Sequence, residues 1–320
     1  MFAFLFPGQG SQTPGMGKFL YDEFKIARET FEEASDAINF DIKKLCFNES
    51  FEVLSLTENT QPALLTISTA TTRVLDIEFG ARAEITAGHS IGEYSSLVLG
   101  HVIEFKEAVR AVRLRGQAMQ SAVPVGLGGM SATIGLTEDQ VVYLCHWAMK
   151  ETGLKSLSPA NFNSAGQIVI SGNLKILEWL QTNFKVEMLP GETKRAKLIP
   201  LQVSAPFHCE MMKPAEETMD LFFKDVTFKN SRLPIIQNVH AQSETQGAIL
   251  KKNIVSQISA PVRWSQSMEL LKNNEKNHVI EVGNGSVLKG LLKKIDGDFF
   301  TVYSTNSLAE LKLIETESSK

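Results

Sequence analysis

The amino-acid sequence predicts an α/β protein with a parallel sheet, interrupted by a small α+β insert. Short apolar runs such as residues 2–6 and 85–87 alternate with longer segments of helical periodicity, a pattern typical of parallel strands joined by helices. The 22 Gly and 11 Pro residues among 320 are too few for a low-complexity chain. The length suits about two domains, or one large domain with an insertion.

The larger body begins with a buried strand and a Gly-rich turn. The apolar run at residues 2–6 ends at Pro7-Gly8-Gln9-Gly10-Ser11-Gln12, whose glycines predict a turn. Pro62 is tolerated in a later helix because it falls in the first turn. In order, the predicted elements are a strand at 2–6, helices at 20–38 and 61–79, a strand at 85–87, and helices at about 91–99 and 105–121.

A change of composition near Pro124 marks the insert. Residues 125–129 are Gly-rich, and a block of alternating strands and helices follows. We expect residues 127–197 to form the insert and residues 1–126 and 198–320 to form the larger body. The insert's predicted elements are strands at 130–134, 167–171 and 197–203 and helices at 137–152 and 173–184; the returning chain has a helix around 221–223, strands at 233–238 and 279–282, and a frayed tail after Leu313.

Charge and cysteine content exclude several classes of protein. The formal charge of −4 gives no reason to expect a nucleic-acid partner, and it predicts that any anion is recognised locally, by one or a few placed cations. Cys46, Cys145 and Cys209 are odd in number and widely spaced, so we expect no disulfide framework and a reducing cytoplasm. The apolar start is only six residues long and lacks a basic n-region, so we expect no signal peptide. No apolar run approaches the roughly 18–20 residues that span a bilayer, so we expect no membrane partner.

The pentapeptide Gly88-His89-Ser90-Ile91-Gly92 matches G-x-S-x-G between a predicted strand and a predicted helix. In that setting the glycines allow a sharp turn that exposes the serine at a helix N-terminus, where backbone N–H groups can hold a developing oxyanion. Ser90 is therefore a candidate nucleophile. The alternative is a Gly-rich turn with an incidental serine, which the strand–turn–helix context disfavours.

A serine nucleophile needs a base, and the chain has six histidines. We expect His89 to shape the site, because adjacent side chains on a tight turn diverge. His208 follows an apolar strand and the turn Ser204-Ala205-Pro206-Phe207, which directs it toward the edge where Ser90 is expected. His208 is the best-placed base by position alone, which leaves open the other histidines: His101, His240 and His278 near element ends, and His146 on a polar helix.

One arginine lies on a helix face that is otherwise apolar or small. Residues Phe105, Ala108, Val112, Arg115 and Met119 recur at helical spacing. A guanidinium facing the core needs an anionic partner, because burying it alone is costly. Arg115 is therefore either half of an internal salt bridge or a binding group for a substrate carboxylate, to which a planar bidentate donor is well suited.

Two Gly-rich loops do not match nucleotide-binding fingerprints. Gly8-Gln9-Gly10 lacks the third glycine of G-x-G-x-x-G, and Gly283-Asn284-Gly285 is followed by Gly290 at the wrong spacing. We interpret both as tight turns after buried strands, and the first also as a loop that brings a backbone N–H toward the nucleophile. No metal-ligand cluster stands out, so we expect no metal and no bound cofactor.

Seven segments carry a resemblance to a known family. In order they are residues 6–12 (FPGQGSQ), 61–63 (QPA), 88–94 (GHSIGEY), 115–120 (RGQAMQ), 161–164 (NFNS), 167–172 (QIVISG) and 281–283 (EVG). Over nearly its whole length the chain thereby resembles the malonyl-CoA:acyl carrier protein transacylases and the related acyltransferase domains of polyketide synthases. The resemblance implies a hydrolase-like large subdomain with a parallel sheet and an inserted ferredoxin-like subdomain.

The resemblance also implies roles for individual residues. Ser90 matches the acylated nucleophile, and His208 matches its base, which the backbone carbonyl of Gln257 orients in place of an aspartate. Arg115 matches the arginine that pairs with the free carboxylate of malonate. The backbone N–H groups of the oxyanion hole match Gln9 and Ile91, and the other substrate-binding positions are His89, Met119, Asn161, Asn163 and Phe207.

Two positions qualify the resemblance. Gly283-Asn284-Gly285 stands where the family often has Gly-Pro-Gly, so this loop is less constrained. Phe207 precedes the base, and in the resembling polyketide domains a Phe there accompanies malonyl preference whereas a Ser accompanies methylmalonyl preference.

The implied function is transfer of the malonyl group from malonyl-CoA to the phosphopantetheine thiol of acyl carrier protein through a malonyl-serine intermediate, in fatty-acid or polyketide biosynthesis. Two other functions stay open. A hydrolase of unactivated acyl thioesters would have no use for a buried Arg115, and a non-catalytic docking partner would have no use for Ser90 with His208. We expect a monomer whose partners are malonyl-CoA and the carrier protein.

Two clusters of basic residues are candidates for contacting an acidic carrier protein. One comprises Lys194, Arg195 and Lys197, and the other Lys289, Lys293 and Lys294. Ordinary solvated charge is the alternative for both.

Overall fold

A computed structural model of the chain describes residues 1–193 and 195–318. Its strands are β1 (Phe2–Phe6), β2 (Ala83–Gly88), β3 (Gly128–Ile134), β4 (Leu157–Ser164), β5 (Gln167–Asn173), β6 (Lys197–Pro200), β7 (Ile235–Ile236), β8 (Ser243–Glu244), β9 (His278–Glu281) and β10 (Thr301–Tyr303). Its helices up to the insert are α1 (Lys18–Glu23), α2 (Lys25–Ile38), α3 (Ile42–Asn48), α4 (Phe51–Leu54), α5 (Thr57–Phe79), α6 (Gly92–Leu99) and α7 (Phe105–Ser121). The others are α8 (Glu138–Thr152), α9 (Leu174–Asn183), α10 (Lys213–Phe223), α11 (Gly247–Ser256), α12 (Trp264–Asn273), α13 (Val287–Asp296) and α14 (Leu308–Ser318).

The larger sheet has the order β10-β9-β1-β2-β7-β8. Its first five strands are parallel, and only β8 pairs antiparallel, at the edge. The fully apolar β1 is buried along its whole length because helices cover both faces of the sheet. The prediction of an α/β fold with a parallel sheet is thus confirmed.

The register of β1 and β2 brings two loops together. Phe6, the last residue of β1, pairs with Gly88, the last residue of β2, and the His89 N–H donates to the Phe6 carbonyl at 2.9 Å. The Gly-rich turn and the G-x-S-x-G turn therefore emerge side by side. They lie beyond the carboxyl ends of parallel strands, where ligands bind in α/β sheets.

The smaller sheet has the order β4-β5-β3-β6, with all neighbours antiparallel. Its chain order β3-α8-β4-β5-α9-β6 is the βαββαβ arrangement of a ferredoxin-like unit. The unit has its own apolar cluster beneath α8 and α9, which includes Leu144, Ile170 and Leu180. This second sheet confirms the predicted fold class.

Backbone hydrogen bonds tie the smaller sheet to the larger body. The Phe162 N–H donates to the Val262 carbonyl at 2.9 Å, and the Val262 N–H donates to the Ala160 carbonyl at 2.8 Å. Residues 160–162 lie on β4, so this strand is attached to the segment that follows α11. No helix in residues 1–193 and 195–318 combines the length and the apolar character required to cross a bilayer.

Candidate active site

The turn after β2 holds Ser90 in a left-handed backbone conformation, with φ of 52°. Packing explains both glycines of the G-x-S-x-G pattern. A Cβ on Gly92 would lie 2.2 Å from the Phe6 carbonyl oxygen, and one on Gly88 would lie 1.9 Å from the Gly92 carbonyl carbon. The turn can therefore close only with glycine at both positions, and closing it places Ser90 before the first turn of α6.

Ser90 and His208 are brought into direct contact. The Ser90 Oγ lies 2.7 Å from His208 Nε2, and His208 Nδ1 lies 2.9 Å from the backbone oxygen of Gln257. A carbonyl can only accept, so Nδ1 carries the ring proton and Nε2 is free to accept from the serine hydroxyl. His208 also has a left-handed backbone, with φ of 58°.

Burial keeps the His208 ring neutral. The side chain is 4% exposed, and this burial, with the nearby charge of Arg115, lowers the pKa of His208 to about 3. The hydrogen bond to the Gln257 carbonyl acts in the opposite direction but is outweighed. At neutral pH the imidazole is therefore in the form that can take a proton.

Arg115 is 1% exposed on α7, on a face shared with the buried Phe105, Ala108, Val112 and Met119, as the spacing predicted. Its Nη2 donates to Gln257 Oε1 at 3.0 Å and to Ser90 Oγ at 3.2 Å, while its Nε is buried without an acceptor. Burial lowers the pKa of Arg115 from its ordinary value.

The internal salt bridge that the sequence left open for Arg115 is not formed. Within residues 1–193 and 195–318, no carboxylate oxygen lies within 4.0 Å of its guanidinium. A buried cation with spare donors beside a nucleophile favours the alternative, a binding group for a substrate carboxylate.

A cavity of about 220 Å³ lies over this group of residues. Gln257 lies behind it, fully buried. All the other predicted site residues line it: Gln9, His89, Ser90, Ile91, Arg115, Met119, Asn161, Asn163, Phe207 and His208. The walls also include apolar residues that the sequence did not single out, among them Met130 and Val169 from the smaller sheet and Leu288 and Leu291 from α13. The cavity is thus enclosed by both sheets' elements.

Two backbone N–H groups are available at the cavity. Neither the Gln9 nor the Ile91 N–H has an acceptor among the described residues. The loop carrying Gln9 packs closely on the serine turn, since a Cβ on Gly8 would lie 2.7 Å from the His89 carbonyl oxygen. Free N–H donors beside a serine hydroxyl can stabilise negative charge on an attacked carbonyl oxygen.

His89 connects the serine turn to the smaller sheet. Its Nε2 lies 2.8 Å from Asn163 Oδ1 on β4, and its ring packs 5.4 Å from that of Trp264. Burial lowers the pKa of His89, so it is also neutral. It does not contact the Ser90 hydroxyl, which agrees with the shaping role expected from the tight turn.

Sequence reasoning missed two polar residues beneath the site. Asn238 accepts the Ser90 N–H on its Oδ1 at 2.7 Å, and Glu93 is completely buried behind it. The position of Glu93 in the first turn after G-x-S-x-G was the available signal, and Asn238 stood at the end of a predicted strand.

A larger cavity, of about 570 Å³, opens elsewhere on the molecule. It lies near Arg82 and Leu233, at the amino ends of β2 and β7, which is the opposite end of the sheet from Ser90. None of the predicted site residues line it, so its size does not make it the reaction site.

Comparisons with known proteins agree with this geometry. Residues 3–295 match the acyl transferase domain family. The chain is 41% identical over 316 residues to the malonyl CoA-acyl carrier protein transacylase of Salmonella typhimurium, covering 99% of each, and 41% identical over 297 residues to that of Staphylococcus aureus, covering 92% of each. Two solved structures are also similar. One is a malonyl-transacylase in complex with a type II PKS acyl-carrier protein (TM-score 0.91, 38% identity, 99% of both chains), and the other is an acyl carrier protein S-malonyltransferase from Vibrio cholerae (TM-score 0.90, 38% identity, 98% and 99%).

Proposed function

The chain belongs to the acyl transferase family, and from that premise we propose how its residues carry out malonyl transfer. The enzyme transfers the malonyl group of malonyl-CoA to the phosphopantetheine thiol of acyl carrier protein, in fatty-acid or polyketide biosynthesis. One observation carries the assignment of the site: a buried arginine without a carboxylate partner lies 3.2 Å from a serine hydroxyl, which lies 2.7 Å from a neutral histidine.

In the first step His208 Nε2 takes the Ser90 proton as Ser90 Oγ attacks the thioester carbonyl. The Gln9 and Ile91 N–H groups hold the resulting oxyanion. In comparable sites each such donor lowers the activation free energy by roughly 3–4 kcal/mol. The tetrahedral intermediate collapses, its carbon–sulfur bond breaks, and coenzyme A leaves with the proton from His208. A malonyl-serine ester remains.

The second step reverses the roles. The carrier protein's thiol gives its proton to His208 and attacks the ester carbonyl. The carbon–oxygen bond to Ser90 breaks, and the serine recovers its proton from the histidine. The product is malonyl-thioester on the carrier protein, and the enzyme returns to its starting state.

Arg115 supplies the selectivity for malonate. Arg115 lines the cavity, its Nη2 lies 3.2 Å from Ser90 Oγ, and its Nε has no acceptor among the described residues. A buried guanidinium can bind a carboxylate in bidentate geometry. Met119, Asn161, Asn163 and Phe207 surround the space left for the acyl group and restrict its size.

We also propose the organisation of the chain. Residues 1–126 and 201–320 form the hydrolase-like catalytic subdomain, and residues 127–200 form the inserted ferredoxin-like one. Its end lies three residues beyond the 197 expected from the sequence, because the last strand, β6, continues to Pro200. A cytoplasmic location is supported by Cys46, Cys145 and Cys209, which are all buried and unpaired.

For the carrier protein we propose docking at the basic residues of α13. Lys289, Lys293 and Lys294 are exposed on the helix whose Leu288 and Leu291 line the cavity. Of the other cluster, Arg195 and Lys197 are exposed, and Lys194 lies outside the described residues. Reversing the charge of Lys289 and Lys293 should raise the KM for carrier protein and leave that for malonyl-CoA unchanged; an unchanged KM for carrier protein would leave these lysines as ordinary surface charge.

Mass spectrometry after mixing with malonyl-CoA tests the mechanism. The wild type should gain one malonyl group on Ser90, and Ser90→Ala should gain none and lose transfer. Near-normal turnover of Ser90→Ala without labelled enzyme would refute the mechanism, and no malonyl mass on the wild type would favour a docking protein. Measuring free malonate in parallel separates the hydrolase alternative, which would release acid instead of acylating the carrier protein.

A further inference from the structure

A buried carboxylate lies under the active site without touching any reacting group of the proposed mechanism. Glu93 has no solvent exposure and stands in the first turn of α6, three residues after the nucleophile. Its two oxygens accept three hydrogen bonds, from Gln237 Nε2 at 3.2 Å, the Asn238 N–H at 3.0 Å and Gln257 Nε2 at 2.9 Å. A buried acid with this many donors around it is a fixed part of the structure, and two of its partners lead directly to the site.

The first connection runs through Asn238 to the nucleophile. The Asn238 backbone N–H donates to the Glu93 carboxylate at 3.0 Å. The Asn238 side chain accepts the Ser90 N–H at 2.7 Å and donates to the Gly88 carbonyl at 2.7 Å. The backbone that leads into Ser90 is thus held at two points by one amide, whose main chain is bonded to Glu93.

The second connection runs through Gln257 to the base and the arginine. The Gln257 side chain donates to Glu93 and to the Ser90 carbonyl, the latter at 3.0 Å, and accepts from Arg115 Nη2. Its backbone oxygen faces His208 Nδ1. One residue therefore contacts the nucleophile, the base and the carboxylate-binding group, and its side chain is bonded to Glu93.

The charge of Glu93 determines which way the Gln257 amide faces. An ionised carboxylate only accepts, so the amide must turn its NH₂ to Glu93 and its oxygen to Arg115. A neutral amide at position 93 would remove that requirement. The Gln257 amide could then rotate and present its NH₂ to Arg115, where two donors would face each other.

Electrostatics adds to the same effect. Glu93 is a nearby acid whose charge favours the ionised form of Arg115, although the two side chains are not in contact. Burial raises the pKa of Glu93 to about 7, against the hydrogen bonds from Asn238, Gln257 and Gln237, which lower it. The three donors around it fit the ionised form, which predominates only above about pH 7, so the Glu93→Gln comparison is made at about pH 8.

We propose that Glu93 is the positioning residue of this active site, aligning Ser90 through Asn238 and aligning His208 and Arg115 through Gln257. The inference rests on the proposed function and deepens it. It predicts two separable defects when the charge is removed: a slower nucleophile with any acyl group, and weaker binding of malonyl groups in particular.

The test is Glu93→Gln, which keeps the shape and removes the charge. Ser90 reactivity is measured with a small neutral fluorophosphonate, and steady-state transfer is measured with malonyl-CoA and acetyl-CoA. Losing charge-assisted hydrogen bonds should slow labelling about 10- to 100-fold, and the KM for malonyl-CoA should rise severalfold more than that for acetyl-CoA. A defect of stability alone would not distinguish the two acyl groups.

Glu281→Gln is the matched control. Glu281 is another buried glutamate, 1% exposed; it accepts from the Leu288 and Lys289 N–H groups at the start of α13 and has no hydrogen bond to Asn238 or Gln257. It should lose thermal stability comparably and keep its labelling rate. Labelling and a malonyl-to-acetyl KM ratio within twofold of wild type in folded Glu93→Gln would overturn the proposal.

Two further variants test the connections if Glu93→Gln does not fold. Asn238→Ala should slow labelling and affect both acyl groups equally, while Gln257→Leu, which keeps the backbone carbonyl, should raise the KM for malonyl-CoA selectively. Normal behaviour of both variants would overturn the proposal. Failure of the proposed function is recognised separately, because the wild type itself would then not transfer malonyl groups.

Discussion

Removing the Arg115 guanidinium should separate malonyl transfer from acetyl transfer. Arg115 is 1% exposed and makes no ion pair among the described residues. Its hydrogen bonds to Gln257 and Ser90 both come from Nη2. A malonate carboxylate would receive about two charge-assisted hydrogen bonds there, each worth about 1.5–3 kcal/mol. Truncating one partner of such a buried pair costs about 2–5 kcal/mol, so Arg115→Ala should lower kcat/KM for malonyl-CoA roughly 30- to 5,000-fold.

Acetyl transfer by the same variant should change much less. An acetyl group offers no carboxylate, so only the Nη2 bonds to Ser90 Oγ at 3.2 Å and to Gln257 Oε1 at 3.0 Å are lost. The rate should stay within about tenfold of wild type. The assay is the single-turnover rate of Ser90 acylation by each acyl-CoA, followed by mass spectrometry. Arg110→Ala is the matched control, since Arg110 lies on the same helix, exposed and paired with Glu107. Equal losses for malonyl and acetyl groups would refute the reasoning and assign Arg115 a structural role.

Three other outcomes follow from the packing and the pKa values. His208 binds a proton below about pH 6.5 in the unfolded chain but only near pH 3 in the folded chain. Between pH 7 and pH 5 the free energy of unfolding of the wild type, measured by urea titration, should therefore fall by about 2 kcal/mol more than that of His208→Asn. An equal pH dependence of the two unfolding free energies would contradict this. Gly92→Ala should lower the free energy of unfolding by at least about 2 kcal/mol through contact with the Phe6 carbonyl, whereas Gly290→Ala, in open space on α13, should raise it by about 0.5–1 kcal/mol; similar values for both would show that the serine turn can relax. Phe207→Ala should improve methylmalonyl relative to malonyl transfer about tenfold by enlarging the cavity, and an unchanged ratio would exclude this side chain from selectivity.

The sequence located the reacting side chains better than the groups that support them. Ser90 and Arg115 could be found from the residues alone, because a G-x-S-x-G turn and a cation on an apolar helical face are local patterns. The helix at 105–121 was predicted at the bounds of α7. The link from His208 to Gln257 came only from the family resemblance, since a backbone carbonyl leaves no sequence signal. Glu93 was missed because its partners lie 144 or more residues away.

Some elements escaped prediction for identifiable reasons. β4 contains Pro159 and polar residues, which argue against a strand, but it lies at the edge of its sheet, where proline is tolerated. The strand expected at 233–238 is only the two residues of β7, because the chain leaves the sheet to place Asn238 at the site. The prediction of a frayed tail after Leu313 was wrong up to residue 318, because this segment belongs to α14, where Leu311 and Ile314 are buried. Ser319 and Lys320 lie outside the described residues.

The left-handed backbone at both Ser90 and His208 means that this fold gives up stability at the two residues that react. Such a conformation costs an L-residue on the order of 1–2 kcal/mol, which glycine would not incur. Selection for thermal stability alone would therefore favour glycine at these two positions, as at the other left-handed positions Asn39, His101, Ser156, Ala241 and Glu275. At Ser90 and His208, unlike those five positions, glycine would also remove a reacting side chain, so stability and activity make opposite demands on the same residue.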